Sequence, residues 1–425
     1  MDRLLYRMKK IIPANLYGAL QPAYHYILAF LAACIYRFPS RKINIIAITG
    51  TKGKSSTAEI VNAILEESGR KTALASTIRF KIGGNSKNNL RKMTLPGRMF
   101  LQKFLRKAVN ERCEYAIVEI TSEASKQFRN KFVDLNSLIF TNISPEHIES
   151  HGSYEKYLQA KLNIAKELEN SKKRPRTIAV NADDNESPKF LSIQAEEKVQ
   201  YSLEEAKLYR THADGIDMMF RGETIHSKLK GVFNVYNILS AASFAETLGI
   251  SPATIKRAVE RLSIIKGRAQ NIDEGQDFEV IVDYAHTSDS LEKLYQTFSH
   301  KSKICVLGNT GGGRDTWKRP VMAQIADKYC DYIILTNEDP YDENPRDIIK
   351  DMLQGIKKIE PEIIMDRKAA IRRAFQIASS QKNSPGPKKV VLLTGKGTDP
   401  YIMGPGGTKT PWSDEKTARD ELRRL

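Results

Sequence analysis

The stretch from Ile43 to Thr57, INIIAITGTKGKSST, constrains the fold of this 425-residue chain more than any other. An apolar run breaks into a turn rich in glycine and lysine, and helical spacing then resumes in AEIVNAILEES. This order predicts a strand, a phosphate loop and a helix, because Gly50 and Gly53 let backbone N–H groups approach a polyanion at the positive end of the helix. Lys54 would then reach the outer phosphates, and the Ser55 hydroxyl would bind Mg²⁺.

The spacing of this loop departs from the common phosphate-binding motif. Only Thr51 and Lys52 separate Gly50 from Gly53, whereas the common motif has four residues between its glycines. On these residues alone, an ordinary glycine turn between a strand and a helix remains the alternative.

Composition indicates a globular protein of two or three domains, since 41% of the residues are hydrophobic and 28% are charged. The formal net charge of +17 attracts phosphates of any kind. Its cations are spread along the chain and are not interleaved with aromatic residues, as a nucleic-acid groove would require. The cysteines are scattered, so we expect no disulfide framework, no zinc ribbon and a reducing cytoplasm. They are Cys34, Cys113, Cys305 and Cys330.

Residues 1–42 precede the phosphate loop as a short helical segment. The run from Tyr24 to Phe38 is apolar and aromatic but too short to span a bilayer, and it is not typical of a signal peptide. We predict a helix packed on the body of the protein. A helix on a membrane surface, in weak contact through its basic flanks, is the alternative.

From Ile43 to about Val180, short β-rich runs alternate with helical stretches, which predicts a parallel sheet with crossover helices. Residues 83–92 read as a polar loop within it. Glu119 closes one strand and supplies the carboxylate that a phosphate-bound Mg²⁺ needs. On chemistry alone, a structural role explains His147 as well as a role as metal ligand does, and the same holds for His151. Spacing alone predicts that Lys161, at the edge of an apolar helix face, is a surface lysine.

Residues 171–230 read as a β-rich insertion, and helices at 231–250 and 251–262 follow. Asn234 and Asn237 open the first of these helices, where an amide either faces a nucleotide base or, at Asn234, caps the helix. After a linker at 264–272, four apolar runs each end in polar residues, which predicts a second α/β domain. Its loop GNTGGGRDTWKRP combines glycines with cations, which favours an anion site.

Seven blocks, in chain order, closely resemble those of the Mur ligases. They are TGTKGKSS, VEITSEAS, TNISPEHIESHGSYEKYLQAK, FNVYN, DYAHTSDSLEKL, GNTGGGRDTWKRPVM and TGKGTDPY. Within the family, the chain is most similar to the branch that adds an amino acid to a muramoyl dipeptide. The resemblance implies a short N-terminal segment (1–42) as a reduced UDP-binding region, a central ATP-binding domain with a parallel P-loop-type sheet (43–265), and a Rossmann-like α/β C-terminal domain (266–425).

The resemblance also implies a reaction. In this family a substrate carboxylate attacks the γ-phosphate of ATP to give an acyl phosphate and ADP, and an amine then displaces phosphate to form an amide. Such chemistry depends mostly on positioning and charge neutralisation. The implied cofactors are ATP and two Mg²⁺ ions. The implied partners are a UDP-muramoyl dipeptide and an amino acid, bound by a cytoplasmic monomer that does not bind nucleic acid.

The resemblance implies site residues by their positions. It also implies that the two domains close about a hinge near 265–268. The residues matching catalytic groups are Lys54, His147, Lys161 and Lys318. Those matching nucleotide contacts are Gly50, Thr51, Gly53, Lys54, Ser55, Ser56, Asn142, Asn234, Asn237, Arg268 and Asp283. Those matching metal ligands are Ser55, Glu119, His147 and Lys161, the lysine after carbamylation by CO₂, which overrides the surface prediction. Those matching substrate contacts are Thr94, Pro96, Ser122, Arg129, Asp339, Tyr341, Gly395 and Asp399.

The chain also departs from the family. Only about forty residues precede Ile43, so either UDP recognition is reduced to N-terminal helices or the acceptor is not the usual nucleotide precursor. In EDPYDENP, Tyr341 stands where diaminopimelate-adding relatives have the arginine that grips the distal carboxylate. Asp399 stands where relatives often have a glutamate, and Glu123 replaces a histidine.

The leading interpretation is an ATP-dependent amino-acid ligase of cell-wall precursor synthesis. A polyglutamate-adding ligase of the folate or cyanophycin type, acting on an acceptor without UDP, is the alternative. A nucleic-acid-binding P-loop ATPase, motivated by the net charge of +17, is a remote alternative that gives the DYAHT and TGKGTDP blocks no role. A lipid II amidating subunit is disfavoured because that branch carries a four-cysteine zinc site.

Overall fold

The computed structural model describes residues 14–146, 148–206, 208–313, 315–380 and 387–425. The chain divides into two compact units. The first unit contains the residues up to 146, 151–205 and 237–255, and the second contains 147–150, 206–236 and 256–425.

The helices are α1 (Ala14–Ile35), α2 (Lys54–Glu67), α3 (Phe100–Asn110), α4 (Ser122–Lys126), α5 (Ile148–His151), α6 (Tyr154–Glu169), α7 (Ser187–Leu191), α8 (Val232–Thr247), α9 (Pro252–Arg261), α10 (Ser288–Thr297), α11 (Lys318–Tyr329), α12 (Pro345–Leu353), α13 (Arg367–Ser380) and α14 (Asp414–Leu422). Short 3₁₀ turns lie at Pro39–Lys42, Leu203–Ala206 and Pro405–Gly407.

The strands of the first unit are β1 (Asn44–Thr49), β2 (Thr72–Ala75), β3 (Arg79–Ile82), β4 (Asn85–Asn88), β5 (Tyr115–Glu119), β6 (Ser137–Phe140), β7 (Thr177–Asn181) and β8 (Glu197–Tyr201). The strands of the second unit are β9 (Arg210–His212), β10 (Gly215–Phe220), β11 (Glu223–Ser227), β12 (Gln270–Asn271), β13 (Glu279–Val282), β14 (Ser302–Leu307), β15 (Tyr332–Leu335), β16 (Glu362–Ile363), β17 (Lys389–Leu393), β18 (Tyr401–Met403) and β19 (Lys409–Pro411).

The sheet of the first unit has the order β4-β3-β2-β5-β1-β6-β7-β8. From β2 to β8 in this order the neighbours are parallel, whereas β3 and β4 pair antiparallel at one edge. The central strands read as apolar runs because both of their faces are buried. The predicted parallel sheet is therefore confirmed.

Two details of that sheet differ from the predictions. Residues 85–88, predicted as part of a polar loop, form β4. The sequence pattern does not indicate this strand because all four side chains are polar and exposed. Residues 177–181 and 197–201, predicted within an insertion, are β7 and β8 of the main sheet. The β-rich insertion is smaller and corresponds to the three-stranded sheet β11-β10-β9.

The second unit contains a six-stranded sheet in the order β12-β13-β17-β14-β15-β16. Its neighbours are parallel except for β12, which pairs antiparallel with β13. Apolar clusters cover both faces of this sheet, so the predicted α/β character is confirmed. Arg367 of α13 and Asp414 of α14 form an ion pair with fully buried side chains, 2.7 Å between Nη2 and Oδ2.

A disulfide joins Cys305 of β14 to Cys330 at the end of α11, with their Cα atoms 6.2 Å apart. From the scattered cysteines we expected no disulfide framework, and this one bridge departs from that expectation because helix packing brings together residues that lie 25 apart in sequence. Cys34 and Cys113 are free thiols, exposed and buried respectively. Within the described part of the chain, the helices lack the combination of length and hydropathy that a membrane crossing needs.

Candidate active site

The phosphate loop lies between the end of β1 and the start of α2, as predicted. Gly53 has a left-handed φ of 82°, and a Cβ built on it would lie 2.4 Å from Oδ1 of Asn237. A Cβ on Gly50 would lie 1.9 Å from Oγ1 of Thr141. Neither position has room for a side chain, so the backbone of the loop packs against its neighbours in a way that only glycine permits.

The residues after β6 hold the loop in place. The carbonyl of Asn142 accepts the N–H of Thr51 at 2.7 Å, and its Oδ1 accepts the N–H of Lys52 at 2.9 Å. The Thr141 hydroxyl donates to the Lys52 carbonyl at 2.7 Å. Asn142, predicted to contact the nucleotide, therefore positions the backbone of the loop in this structure.

Two lysines converge on the same loop. Lys54 Nζ donates to the carbonyls of Gly50 and Thr51 at 3.0 and 2.8 Å, and Lys161 Nζ donates to the Gly50 carbonyl at 2.6 Å. Lys161 is 1% exposed and lies over the ring of Tyr157, 4.6 Å from its centroid. The prediction of a surface lysine from spacing alone is wrong, because this face of α6 packs on the loop.

Burial, followed by the charge of Lys54, lowers the pKa of the Lys161 amine well below its usual range. Tyr157 fixes this corner of the site from the other side, since its hydroxyl lies 2.8 Å from the Thr51 Oγ1. Burial and the charge of Glu146 raise the pKa of that phenol, so it stays neutral. The neutral amine of a lysine is the form that reacts with electrophiles such as CO₂.

Ser55 and Glu119, predicted to share a metal ion, lie together. The Ser55 Oγ donates to Glu119 Oε2 at 2.9 Å, and the N–H of Thr77 donates to the same oxygen at 2.8 Å. Glu119 is buried at the end of β5, and Ser55 and Ser56 are buried in the first turn of α2. A hydroxyl and a carboxylate are hard oxygen donors that suit Mg²⁺, which keeps other positions for phosphate oxygens and water.

The histidines give little support for a metal site in the described residues. His147, a predicted metal ligand, lies outside the described residues. His151 lies with its Nε2 3.1 Å from Ser122 Oγ and 3.9 Å from a carboxylate oxygen of Glu123. Among the described residues, no group of three or more His, Cys, Asp or Glu side chains is arranged to hold a metal ion. Any Mg²⁺ at Ser55 and Glu119 therefore depends on ligands from outside this set.

The predicted acceptor-binding block adjoins this pair. Thr77, which contacts Glu119 through its N–H, also places its Oγ1 2.7 Å from that of Thr94. Arg129 donates through Nη1 to the carbonyl of Leu95 at 2.6 Å, next to Pro96. The Nε of Arg129 is buried without a hydrogen-bond partner. A buried unpaired guanidinium N–H is costly, so this edge favours an anionic ligand.

The two predicted nucleotide-binding asparagines of α8 fall in different units. Asn237 belongs to the first unit, where its Oδ1 lies beside Gly53 and accepts the Thr57 hydroxyl at 3.4 Å. Asn234 belongs to the second, where its Nδ2 donates to the Lys230 carbonyl at 2.8 Å.

In the second unit, Asp283 follows β13 and secures the segment that begins with Arg268. Its two carboxylate oxygens accept the N–H groups of Ala269 and Ala285, each at 2.6 Å. The Arg268 guanidinium lies over the Tyr284 ring, 4.6 Å from its centroid. Lys318 is the first residue of α11.

Asp339 and Asp399, both predicted substrate contacts, share a lysine that sequence reasoning missed. Lys396 is fully buried and donates to the two oxygens of Asp339 at 2.8 and 2.9 Å, to Asp399 at 3.3 Å and to the Tyr401 carbonyl at 2.7 Å. Its place beside Gly395 in TGKGTDP was the signal that could have identified it. Tyr341 has a left-handed φ of 52°, and its N–H donates to the Met403 carbonyl at 3.1 Å.

Glu338 is a second residue that sequence reasoning missed. It is 3% exposed, its Oε1 accepts the Thr310 hydroxyl at 3.1 Å, and its Oε2 has no hydrogen-bond partner. A Cβ on Gly395 would lie 2.2 Å from this Oε2, so glycine is needed beside it. Burial and the neighbouring Asp339 raise the pKa of Glu338. Its position in EDPY, directly before Asp339, could have identified it.

Two Mur ligase domain families match this chain. Residues 48–245 match the Mur ligase middle domain, and residues 267–397 match the Mur ligase glutamate ligase domain. The chain is 35% identical over 411 residues to the UDP-N-acetylmuramoyl-L-alanyl-D-glutamate–2,6-diaminopimelate ligase of Syntrophomonas wolfei, covering 93% of this chain and 81% of that protein. It is 37% identical over 395 residues to the ligase of the same name from Geobacillus kaustophilus, covering 89% and 78%.

Solved structures agree with these matches. A structure of a UDP-N-acetylmuramoyl-L-alanyl-D-glutamate–2,6-diaminopimelate ligase superposes with a TM-score of 0.60 at 26% identity, covering 90% of this chain and 78% of that one. Folylpolyglutamate synthase of Mycobacterium tuberculosis shares the fold, with a TM-score of 0.68 at 14% identity and coverage of 88% and 92%.

The fold and the loop thus define an ATP-dependent ligase that forms amide bonds and releases ADP. The chain belongs to the Mur ligase family. Mur ligases depend on ATP and use Mg²⁺, which agrees with the phosphate loop and with the Ser55 and Glu119 pair.

Proposed function

We propose that this ligase adds one amino acid to UDP-N-acetylmuramoyl-L-Ala-D-Glu in the cytoplasm, as a step of peptidoglycan precursor synthesis. The relatives named above act on this acceptor according to their names. The observation that carries the proposal is the contact chain from the phosphate loop to Arg129. It joins Ser55 to Glu119, Glu119 to Thr77 and Thr77 to Thr94, beside the segment that Arg129 holds.

In this proposal the loop amides and Lys54 hold the phosphates of ATP, while Thr94, Pro96, Ser122 and Arg129 orient the acceptor. A carboxylate of the acceptor attacks the γ-phosphorus, the bond to the β,γ-bridging oxygen breaks, and an acyl phosphate and ADP result. Cations near the phosphates lower the barrier because negative charge moves onto the leaving ADP. The unpaired Nε of Arg129 supplies a buried donor for a second anionic group of the acceptor.

Ser55 and Glu119 would hold one Mg²⁺, which would neutralise phosphate charge. A second ion, bound through His147 and a carbamylated Lys161, belongs to the proposal as well. Carbamylation joins the neutral amine of Lys161 to CO₂, releases one proton and gives an anionic carbamate whose oxygens can bind the metal. The burial and lowered pKa of Lys161 support this step, because they keep the amine unprotonated.

The second unit would supply the groups that receive the amino acid, namely Asp339, Tyr341, Gly395 and Asp399. An incoming ammonium must lose a proton before it can attack the acyl carbon. We assign the acceptance of this proton to Oε2 of Glu338, since it is buried, unpaired and has a raised pKa. The proposal also includes domain limits at residues 42 and 265 and a monomeric state. It further includes contacts with ATP from Asn234, Arg268, Asp283 and Lys318.

The identity of the amino acid depends on Tyr341. Tyrosine lacks the charged fork with which an arginine grips a distal carboxylate. We therefore propose that the preferred amino acid is not diaminopimelate.

An amino-acid screen tests the proposed function. The full chain is incubated with ATP, Mg²⁺ and UDP-N-acetylmuramoyl-L-Ala-D-Glu, and one amino acid at a time is added while ADP and ligated product are followed. We expect release of ADP that requires both the acceptor and one amino acid other than diaminopimelate. Release with folate and glutamate but with no muramoyl dipeptide would refute the proposed acceptor.

A further inference from the structure

The helix α1 has two faces of different character. His25, Ala29, Ala32 and Ala33 are buried against the first unit, with spacings of three and four residues that define one face. The side chains on the opposite side form a stripe of large apolar groups that are 45–60% exposed. We call this the α1 stripe, and it consists of Tyr24, Ile27, Leu31 and Ile35.

Contacts near the middle of α1 and beyond its C-terminus hold it against α3 and the residues just before α3. Near its middle, the Nε of Arg98 donates to Nδ1 of His25 at 2.5 Å. Beyond its C-terminus, Arg106 donates to the carbonyl of Tyr36 at 2.7 and 3.0 Å and to that of Arg37 at 3.1 Å. The α1 stripe is therefore held outward on a supported helix.

The histidine beneath the stripe stays neutral. Burial, followed by the charges of Arg98 and Arg129, lowers the pKa of His25 to about 4. We therefore expect the attachment of α1 to be insensitive to pH above about 5.

The segment that holds α1 is strongly basic. Residues 83–110, which include α3 and the segment leading to it, contain seven Lys or Arg and no Asp or Glu. Leu90, Met93 and Met99 of this segment are also exposed, so apolar and basic groups are mixed on it. The exposed cations of this segment are Lys87, Arg91, Lys103 and Lys107, and those that follow α1 are Arg37, Arg41 and Lys42. The Nε of Arg41 lies 3.4 Å from Oδ2 of Asp134.

We propose that the α1 stripe and these cations form a docking surface for a bilayer that contains anionic lipids. An apolar helix face with a tyrosine, supported by a basic segment, suits the boundary between headgroups and acyl chains. The helix lacks the hydropathy of a span, so it would lie in this boundary. A second copy of the chain fits less well, because a two-fold interface would set each cation cluster against its like.

This inference goes beyond the proposed ligase activity and does not depend on it. Sedimentation of the full chain with vesicles tests it, using phosphatidylcholine alone and phosphatidylcholine mixed with phosphatidylglycerol. We expect binding to the mixed vesicles only, and loss of that binding when salt is raised.

Variants separate the two components of the surface. Ile27→Glu with Leu31→Glu removes the apolar stripe, and we expect at least tenfold weaker binding. Lys103→Gln with Lys107→Gln removes two cations, and about fivefold weaker binding is expected for each.

A matched control uses Leu208→Glu with Ile363→Glu. These side chains are 70% and 50% exposed in the second unit, and the change in formal charge equals that of the stripe variant. The control should bind vesicles like the unmodified chain, and circular dichroism should show all variants folded.

Four results would overturn the proposal. The first three are equal binding to both kinds of vesicle, equal losses in the stripe variant and the control, and release of the bound chain by added UDP. The third would assign this surface to the nucleotide sugar. A dimer in sedimentation analysis that the stripe variant abolishes would assign it to a second copy.

Discussion

The packing of Gly53 permits a paired experiment on the phosphate loop. Gly53 and Gly69 have almost the same left-handed φ, 82° and 83°. A Cβ at Gly53 would lie 2.4 Å from Oδ1 of Asn237, whereas a Cβ at Gly69 would meet no atom within 4 Å. Substitution by alanine therefore places a left-handed alanine at both positions but a steric clash at only one.

The magnitudes follow from this difference. Left-handed backbone costs an alanine roughly 1–2 kcal/mol at either site. At Gly53 the side chain of Asn237 must also retreat by about 1 Å to reach an ordinary contact of about 3.5 Å. This movement removes the hydrogen bond from Thr57, worth about 1 kcal/mol, and shifts the loop amides. Misplacement on that scale is worth up to about 100-fold in rate.

Chemical denaturation and ATP titration provide the readout. We expect Gly69→Ala to lose about 1–2 kcal/mol of stability and to keep its affinity for ATP. Gly53→Ala should lose about 1 kcal/mol more and bind ATP at least tenfold more weakly. Equal losses of ATP affinity in the two variants would refute the reasoning, because they would trace the effect to stability and not to the loop.

Further predictions concern other parts of the molecule. Lys161→Arg keeps a long side chain that donates hydrogen bonds but cannot be carbamylated, so we expect about a 100-fold loss of kcat in an ADP-release assay; activity within twofold of the unmodified enzyme would exclude carbamylation. Glu338→Gln should slow the ligase yet stabilise the fold at neutral pH. Burial raises the pKa of Glu338, so between its unfolded and folded pKa values the native state binds more protons than the unfolded state, and the stability of the unmodified chain falls as pH rises through that range; denaturation curves at several pH values check this sign. Tyr341→Arg should gain ADP release with diaminopimelate, and no gain would separate Tyr341 from specificity. Arg367→Leu leaves Asp414 buried without its partner and should cost about 3–5 kcal/mol in denaturation experiments.

Much of the fold could be predicted from sequence because the strands of both sheets are buried on two faces and read as apolar runs. The phosphate loop and the pairing of Ser55 with Glu119 could also be predicted. The loop follows β1 and Glu119 ends β5, and these two strands are neighbours. The edge strand β4 was not predictable, because an exposed polar strand has the same composition as a loop.

Other features depend on contacts that the local pattern does not encode. Lys161 lies on the edge of a helix face, and only its packing on a loop 111 residues away shows that it is buried. Lys396 and Asp339 are 57 residues apart, and their ion pair requires the loops that follow β15 and β17 to meet. The disulfide between Cys305 and Cys330 likewise depends on a helix returning to its strand.

The central claim is that this chain activates a carboxylate by phosphorylation, and isotope transfer tests this most directly. The acceptor dipeptide is labelled with oxygen-18 in its carboxylates and incubated with ATP, Mg²⁺ and the amino acid selected by the screen. Attack of the carboxylate on ATP predicts one labelled oxygen in each phosphate released, detected by mass spectrometry. Unlabelled phosphate formed alongside the amide product would contradict the account.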